Sequence, residues 1–321
     1  MTAREVAALD VAYDTSAPAR LLEREGALAV FEFGGGSSPA ADPRHIQVPL
    51  TGLDTAVPHE YWSVAASVEC GRDGALRWAA GGGWRMTVVE GTEPGQGGIE
   101  AASEQAYRQL LAHVGAAPEH HLHRIWNYLD AINEGVADQE RYRLFCNGRA
   151  RALLAHAVSD FPAATAIGHR SQHHLLQIYA LSAVVPGHAL ENPRQVSAWQ
   201  YPRRYGPTAP SFARAMRLPD GSLAISGTAA VVGHASHHHD DVAAQADEAF
   251  ANLRSLLDGA GLPPFDAHSP LKVYLRHAGD AGAVHAALAR HLDPAVPRIL
   301  LHGEICRSEL LVEIDGWRFA S

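Results

Sequence analysis

Lysine is almost absent from this chain. Of its 321 residues, 26 are lysine or arginine, and Lys272 is the one lysine among them. Acidic residues number 35, so the formal net charge is −9. Proteins that bind nucleic acid present a basic surface to the phosphates, and this charge balance therefore argues against a nucleic-acid partner.

Cysteines and long apolar runs are also scarce. The three cysteines, Cys70, Cys146 and Cys306, are odd in number and far apart, which argues against a disulfide framework and indicates a reducing compartment. No run approaches the roughly 18 apolar residues of a membrane-spanning helix, so no membrane partner is expected. The first 20 residues carry acidic side chains and lack the apolar segment of a signal peptide. We therefore expect a cytoplasmic protein.

Arginine, by contrast, occurs in local clusters. One explanation is a set of ordinary surface ion pairs. The other is a pocket for a substrate that bears carboxylates, because a guanidinium group binds a carboxylate through two parallel hydrogen bonds. The clustered residues are Arg141, Arg143, Arg149 and Arg151, followed by Arg203, Arg204, Arg214 and Arg217.

The C-terminal part shows a clear alternation of strand and helix patterns. An Asp220-Gly221 turn predicts a hairpin. Apolar residues at three- and four-residue spacing then predict a helix from about Asp241, its N-cap, to Gly259. The predicted elements are strands Phe212–Leu218 and Leu223–Ser226, that helix, strand Leu271–Arg276, helix Asp280–His291, and strands Arg298–Cys306 and Glu309–Ile314.

The preceding part repeats this order. Its predicted elements are strand Trp84–Glu90, helix Ser103–Val114 with Ser103 as its cap, strand His123–Leu129, helix Asp138–His156 and strand His174–Leu181. The repetition predicts an α/β protein of two related modules fused in one chain. We expect an N-terminal module over residues 1–185, a proline-rich connecting segment over 186–210, and a C-terminal module over 211–321.

Glu313 is an acid placed among apolar residues on the last predicted strand. The two-residue period of a strand puts Leu311 and Glu313 on one face. Burial would raise the pKa of this carboxyl and keep it protonated near neutral pH, which suits a general acid. The alternative is an exposed carboxylate on the surface of the strand.

The helix predicted around residues 140–151 carries an unusual combination of groups. Tyr142 and Arg149 lie seven residues apart and share a face, with Phe145 and Cys146 nearby. An amphipathic helix with an arginine reaching towards solvent is the simpler explanation. Gly148 inside this helix costs stability relative to alanine, which suggests that another segment approaches closely there.

Two sets of residues together resemble known families. The stretch Ser226-Gly227-Thr228-Ala229 to His234, with the order of elements after it, resembles the RidA/YjgF family. A wider set, over about residues 120–317, resembles the chorismatase family, whereas the first hundred residues add little. That set is Asn127-Tyr128-Leu129, Ile132-Asn133, Tyr142-x-x-Phe145-Cys146-x-Gly148-Arg149, Tyr201, Arg214, Ser226-Gly227-Thr228-Ala229, Gly233-His234, Cys306 and Glu313.

The resemblance implies a fold, a reaction and site residues. The fold would be α/β (α+β), with two fused RidA/YjgF-like modules of mixed sheet packed by helices. The substrate would be chorismate, converted to 3-hydroxybenzoate, with 4-hydroxybenzoate as a further product, and pyruvate. Neither a cofactor nor a metal is implied, and the chain would be a monomer or a homotrimer. The implied site comprises Glu313 as the general acid, Arg149 and Arg214 as cationic anchors, and Tyr142, Tyr201 and Tyr205 as ring contacts, with Cys306 and Ala229 affecting the product.

The last two residues point to different products. A cysteine at the position of Cys306 resembles the members that form 3-hydroxybenzoate. Alanine at the position of Ala229 resembles the members that hydrolyse chorismate to a dihydroxycyclohexadiene carboxylate. The sequence therefore leaves the product open between an aromatic acid and a diene diol.

Three other functions remain as alternatives. A RidA-like imine deaminase or a ligand-binding module would lack the Tyr142 and Arg149 face. A metal site would need converging ligands, whereas consecutive histidines mostly point apart. A pteridine-dependent dioxygenase would need an iron site, and no arrangement of two histidines and one carboxylate is evident. The histidine-rich stretches are His120, His121 and His123, and His234, His237, His238 and His239 with Asp240 and Asp241.

Overall fold

The structure is a computed structural model that describes residues 6–34, 41–93, 95–171 and 173–320. Its first elements build a small sheet of four strands, in the order β1-β5-β2-β3. Within the described residues, no helix is long and apolar enough to cross a membrane. The first elements are β1 (Leu9–Asp14), α1 (Pro18–Leu22), β2 (Ala27–Phe33), β3 (His45–Val48), β4 (Thr51–Gly52) and β5 (His59–Val64).

Two larger sheets of seven strands follow. The middle of the chain supplies β6 (Glu69–Asp73), β7 (Leu76–Gly81), β8 (Trp84–Thr92), α2 (Gly98–Ala116), β9 (His121–Asp130), α3 (Arg141–Ala155), β10 (Ala163–His169) and β11 (Leu175–Ala183). The remainder supplies β12 (His188–Leu190), β13 (Ala215–Arg217), β14 (Leu223–Ala229), β15 (Val231–Val232), β16 (Ala235–Ser236), α4 (Val242–Ala260), β17 (Leu271–Leu275), α5 (Ala281–His291), β18 (Arg298–His302), β19 (Glu304–Ile305) and β20 (Val312–Arg318).

The two large sheets have the same topology. Their strand orders are β6-β7-β8-β11-β9-β10-β19 and β12-β13-β14-β20-β17-β18-β4. In each sheet one inner pair of strands is parallel, β9 with β10 and β17 with β18. The central pairs β8 with β11 and β14 with β20 are antiparallel. This repetition confirms the predicted α/β class with two mixed sheets packed by helices. The module boundaries stay a prediction, and short strands β4 and β19 each join the sheet built mainly by the other part of the chain.

Apolar residues bury the two sheets against each other and against their helices. One core cluster packs α2 and α3 on the first large sheet, and another packs α4 and α5 on the second. The central cluster joins both large sheets with the four-stranded sheet, through residues such as Phe31, Trp62, Trp126, Tyr179 and Trp317. Burying such large side chains removes apolar surface from water, which is the dominant favourable term in folding.

The predicted strand Arg298–Cys306 is wrong in its extent. Strand β18 ends at His302, and β19 begins at Glu304 in the other large sheet. The chain crosses between the sheets at Gly303, where a side chain would press closely on Ile167 of β10. Glycine permits this close approach of backbone to a neighbouring strand. The crossing places Cys306 directly after β19.

The last strand also differs from its prediction. It spans Val312–Arg318 and not Glu309–Ile314, so Leu311 precedes it and its backbone N–H donates to Gln245. Within the strand, Val312 and Ile314 face the α4 and α5 side. The alternate residues Glu313, Asp315 and Trp317 face the opposite side. Glu313 is therefore buried between the sheets, and the predicted pairing with a leucine face does not account for its burial.

Ser103 is not the cap of its helix. Helix α2 already begins at Gly98, and Ser103 lies buried inside it. Its hydroxyl donates to the carbonyl of Glu100 and lies 3.2 Å from the carbonyl of Phe145 in α3. A serine inside a helix can bond to its own helix in this way, which the sequence pattern does not distinguish from a cap. The N-cap at Asp241 is confirmed, because its carboxylate accepts from the Ala244 N–H at 3.0 Å.

The strand pattern missed β10. The sequence predicted that His174–Leu181 follows the second helix, whereas Ala163–His169 comes first and pairs in parallel with β9. The helix itself is shorter than predicted, since residues 137–139 form a separate 3₁₀ turn before α3. Strand β10 contains small residues that alternate weakly, which explains why periodicity did not reveal it.

We expect Gly148→Ala to destabilise the protein. An added Cβ would overlap the Glu100 carbonyl and the Ser103 hydroxyl, where α3 crosses α2. Overpacking at such a contact costs about 1–3 kcal/mol, more than the helix propensity of alanine returns. Gly115→Ala is the matched control, because a Cβ there meets nothing within 4 Å. Urea unfolding should show a lower free energy of unfolding for the first variant alone, and equal stability would contradict the close helix contact.

Candidate active site

A cavity of about 310 Å³ lies between the two large sheets, near β10, β14 and β20. It collects side chains from α3, from the connecting segment and from the turn after β19. Each site residue proposed from the sequence lines it, so residues far apart in the chain share one space. These residues are Tyr142, Arg149, Tyr201, Tyr205, Arg214, Ala229, Cys306 and Glu313.

Glu313 places its carboxyl against the backbone of Gly227. A side chain at position 227 would occupy the space of that carboxyl, so glycine is required there. The Glu313 side chain is 5% exposed, and no residue that the structure describes donates a hydrogen bond to its carboxyl. Burial, with a smaller contribution from the negative charge of Asp315, raises the pKa of Glu313 to about 8. Such a carboxyl holds a proton at neutral pH and can deliver it into the cavity.

Arg149 is a buried cation on the cavity wall. One of its terminal nitrogens, Nη2, donates to the carbonyl of Ser211 at 2.8 Å, and the guanidinium group lies 5.2 Å from the centre of the Tyr107 ring. Its Nε is buried without a hydrogen-bond partner among the described residues. Arg149 lines the cavity, so its positive charge is available to pair with a carboxylate bound there.

Arg214 is a second buried cation on the cavity wall. Its Nη2 donates to the carbonyl of Val196 at 2.8 Å and to the Tyr201 hydroxyl at 2.7 Å. Its Nε is likewise buried without a partner in the part of the chain that the structure describes. Arg149 and Arg214 thus each place a cationic guanidinium group on the wall of a cavity that a dianionic ligand could fill.

Arg307 is a cavity residue that the sequence reasoning missed. Its guanidinium group lies 4.0 Å from the centre of the Tyr205 ring and 5.0 Å from that of Tyr201. Its Nη1 donates to the carbonyl of His234 at 2.9 Å. Arg307 directly follows Cys306, so its position beside a candidate residue was the signal available in the sequence.

Tyr201 and Tyr205 lie on short turns of the connecting segment. Their rings are 5.4 Å apart, and the Tyr205 hydroxyl lies 3.4 Å from Nδ1 of His234. Arg204 also reaches that nitrogen, at 2.8 Å. His234 therefore contacts the side chains of both Arg204 and Tyr205. No three His, Cys, Asp or Glu side chains among the described residues converge as metal ligands would.

Cys306 and Tyr142 both line the cavity. Burial, and next the carboxyl of Glu313, raises the pKa of the Cys306 thiol, so it remains a neutral thiol rather than a nucleophilic thiolate. Burial also raises the pKa of Tyr142 well above its usual value, with smaller contributions from Cys146 and Cys306. Both groups therefore act as neutral polar contacts. Ala229 lies on β14 directly opposite Glu313 on β20.

Comparison with known proteins decides the family. The chain is 35% identical over 282 residues to a 3-hydroxybenzoate synthase from Streptomyces hygroscopicus, a match that covers 82% of each protein. The chain belongs to the chorismatase family. A chorismatase from Streptomyces rapamycinicus (strain ATCC 29253 / DSM 41530 / NRRL 5491 / AYB-994) is 34% identical over 274 residues, or 80% of this chain and 81% of that protein.

Chorismatase resemblance extends over nearly the whole fold. A crystal structure of a chorismatase matches 99% of this chain and 100% of that one, with a TM-score of 0.87 and 32% sequence identity. The family model "Chorismatase FkbO/Hyg5-like, N-terminal" matches residues 60–182. The sequence motifs predict a resemblance that starts near residue 120, and that limit is wrong, because the match also includes the elements from β5 to α2.

Proposed function

We propose that this chain is an enzyme that converts chorismate to 3-hydroxybenzoate and pyruvate, with Glu313 as the general acid. The observation that carries the proposal is the buried Glu313 carboxyl, which faces a cavity lined by arginines and tyrosines. The relative with 35% identity bears the name 3-hydroxybenzoate synthase, which is consistent with this product.

The chemistry of chorismate matches the groups in the cavity. Chorismate is a dianion whose side chain is an enol ether. A proton from Glu313 to the methylene carbon of that side chain forms the new C–H bond and leaves an oxocarbenium ion. The neighbouring ring hydroxyl then displaces the side chain from the ring as pyruvate and returns a proton to the Glu313 carboxylate, after which the ring rearranges to 3-hydroxybenzoate. In the hydrolysis, water adds to the oxocarbenium carbon and gives up a proton, and the adduct breaks down to pyruvate and the diene diol. Formation of 3-hydroxybenzoate consumes no water overall, whereas formation of the diene diol consumes one.

Arg149 and Arg214 would bind the two carboxylates of the substrate. Each is a largely buried cation, and each lines the cavity. Tyr142, Tyr201 and Tyr205 would contact the ring of chorismate. The Arg307 guanidinium group packs against the rings of Tyr201 and Tyr205. General acid catalysis supplies about 10²–10⁴-fold, and fixing the enol ether beside the acid supplies further rate enhancement.

The test is incubation of the purified protein with chorismate. Pyruvate would be measured by a coupled assay, and the second product identified by chromatography. One pyruvate for each aromatic acid formed, with 3-hydroxybenzoate as the main product and 4-hydroxybenzoate as a minor one, would support the proposal. Absence of pyruvate at any pH from 5 to 9 would contradict it (roughly the range over which Glu313 changes its protonation). Release of ammonia from an imine substrate would then favour the deaminase alternative.

A second candidate is hydrolysis of chorismate to the diene diol. The observation that favours it is Ala229, which lies in the cavity opposite Glu313. Its methyl group changes the space beside the reacting side chain. The same chromatogram distinguishes the two reactions, because the diene diol is not aromatic and differs from 3-hydroxybenzoate in composition by one water.

We expect Cys306→Ala to change the product rather than to stop the reaction. The Cys306 thiol lies beside Glu313 and is uncharged, so it can position the intermediate without being the proton donor. Pyruvate release should stay within about tenfold of the wild type, a change of about 1.4 kcal/mol, while product shifts from 3-hydroxybenzoate towards the diene diol.

Cys70→Ala is the matched control for this variant, because Cys70 is an exposed free cysteine on β6. It should leave both rate and product unchanged. If the product of Cys306→Ala equals that of the wild type, Cys306 does not direct the outcome and Ala229→Gly becomes the variant to examine.

A further inference from the structure

Asp315 lies two residues after Glu313, the candidate acid, on the same face of β20. It is fully buried, and a single oxygen, Oδ2, accepts all of its hydrogen bonds. Four donors converge on that one oxygen. They are the Thr165 hydroxyl at 2.7 Å, the Trp126 indole N–H at 3.0 Å, the Tyr274 hydroxyl at 3.0 Å and Nη2 of Arg124 at 3.1 Å.

The one lysine of the chain completes this buried cluster. Lys272 lies 2.6 Å from Glu60 and 3.8 Å from Oδ1 of Asp315. The Glu60 carboxylate also accepts from the Trp62 indole at 2.7 Å. Two carboxylates and two cations are thus enclosed together between the three sheets. Charges are buried in proteins when they are paired. The Arg124–Asp315 and Lys272–Glu60 pairs join strands of different sheets, whereas Lys272 and Asp315 lie opposite each other on neighbouring strands of one sheet.

Two hydrogen bonds connect Asp315, through Thr165, to the backbone of Gly227, against which the Glu313 carboxyl lies. The Thr165 hydroxyl that donates to Asp315 also accepts from the backbone N–H of Gly227, at 3.0 Å. Gly227 is the residue whose missing side chain leaves room for the Glu313 carboxyl. Thr165 itself lines the cavity.

Charged and titratable groups face Glu313 from every element packed around it. Asp315 contributes the nearby negative charge. Positive charge comes from Arg124 on β9, Arg214 before β13 and Arg307 after β19, and each of these lowers the pKa of Glu313. Burial raises the pKa of the neighbouring Cys306 thiol, so this thiol is neutral near neutral pH. Asp315 therefore opposes three arginines that would otherwise favour ionisation of the acid.

We infer that Asp315 is a positioning residue whose buried negative charge keeps the Glu313 carboxyl protonated. Its hydrogen bond to Thr165 also fixes the position of the Gly227 backbone, against which that carboxyl lies. This inference rests on the proposed role of Glu313 as the proton donor. Asp315 does not touch the cavity and does not itself exchange a proton with substrate. Its effect reaches the reaction only through Glu313.

Asp315→Asn tests the charge with little change of shape. The Asn oxygen can take the place of Oδ2, and its NH₂ group would take the place of Oδ1, which has no hydrogen-bond donor among the described residues. The midpoint at which kcat/KM falls with rising pH should move to lower pH by on the order of one unit. The same shift should appear in the infrared titration of the Glu313 carboxyl in the enzyme without substrate, identified by subtracting Glu313→Gln.

Arg124→Gln provides the opposite shift. It removes a positive charge that faces Glu313 and that partly neutralises Asp315, so the midpoint should move to higher pH. Glu60→Gln is the matched control, since it removes a carboxylate of the same cluster that faces Lys272. It should change stability in thermal melting without moving either midpoint. Damage to the fold alone would not shift two variants in opposite directions.

The outcomes separate this inference from the proposed function. If Asp315→Asn and Arg124→Gln leave the carboxyl titration where it is in the wild type, or shift it alike, the inference is wrong. Should Asp315→Asn fail to fold, the direction of the Arg124→Gln shift decides. If the wild type does not consume chorismate, the proposed function fails, and the infrared titration still reports whether Asp315 controls Glu313.

Discussion

Replacing Glu313 by Gln is expected to reduce the turnover of chorismate by at least about 10²–10⁴-fold, which is the usual contribution of a general acid. Glutamine has the same shape and fits against Gly227. Its amide cannot deliver a proton to the enol carbon at neutral pH. Binding of chorismate should persist, because Arg149 and Arg214 are unchanged, and isothermal titration calorimetry would measure it.

Glu309→Gln is the control for this variant. Glu309 is a second glutamate on the cavity wall, and its carboxylate accepts from the Ser236 hydroxyl at 2.8 Å. Glutamine can accept the same hydrogen bond, so the rate should stay near that of the wild type. Near-normal turnover by Glu313→Gln would remove Glu313 from the mechanism and move attention to Glu309.

The pH profile gives the same assignment a second test. The pKa of Glu313 is raised from its ordinary value to about 8, chiefly by burial. The carboxyl is thus protonated below that pH and loses its proton as the pH rises through it. A general acid must start protonated, so kcat/KM of the wild type, which reports the protonation of the free enzyme, should fall above about pH 8. The residual activity of Glu313→Gln should lack this decline.

The second large effect is expected from the buried arginines. Arg149→Ala and Arg214→Ala should each raise the Michaelis constant for chorismate by about 10- to 150-fold, since the loss of one charge-assisted hydrogen bond costs about 1.5–3 kcal/mol. Arg214→Ala should have the larger effect, because it also removes the donor that holds the Tyr201 hydroxyl. Steady-state kinetics over a range of chorismate concentrations measures both.

Arg151→Ala is the matched control on the same helix. Arg151 lies two residues after Arg149, its side chain is 49% exposed, and it pairs with Glu100 and Glu104 on the surface. Surface ion pairs of this kind contribute little. Its Michaelis constant should equal that of the wild type. If all three variants behave alike, the cavity arginines do not bind the substrate carboxylates.

Part of the fold and site could be predicted from local signals, whereas Tyr201, Tyr205, Arg214, Ala229 and Cys306 were implied by the family resemblance. Tyr142 and Arg149 share one face of α3, as their seven-residue spacing predicted, and both line the cavity. Asp241 caps α4 as its position before an apolar helical pattern indicated. Helical spacing and caps depend on neighbours a few residues away, so the sequence contains the necessary information.

Other features depend on contacts that no local pattern records. Arg307 enters the cavity because the chain crosses from one sheet to the other at Gly303. Asp315 is 191 residues from Arg124 and 150 from Thr165, and the fold alone brings them together. Which strands pair is decided by burial over the whole chain rather than by neighbouring residues.

The sequence by itself determined the α/β class, the repeated order of strand and helix, and the groups that could bind and protonate a dianionic enol ether. The tertiary structure decided where Glu313 lies and what raises its pKa. The reason is that burial and nearby charge, which set the pKa of a carboxyl, are properties of the assembled sheets and not of the strand that carries it.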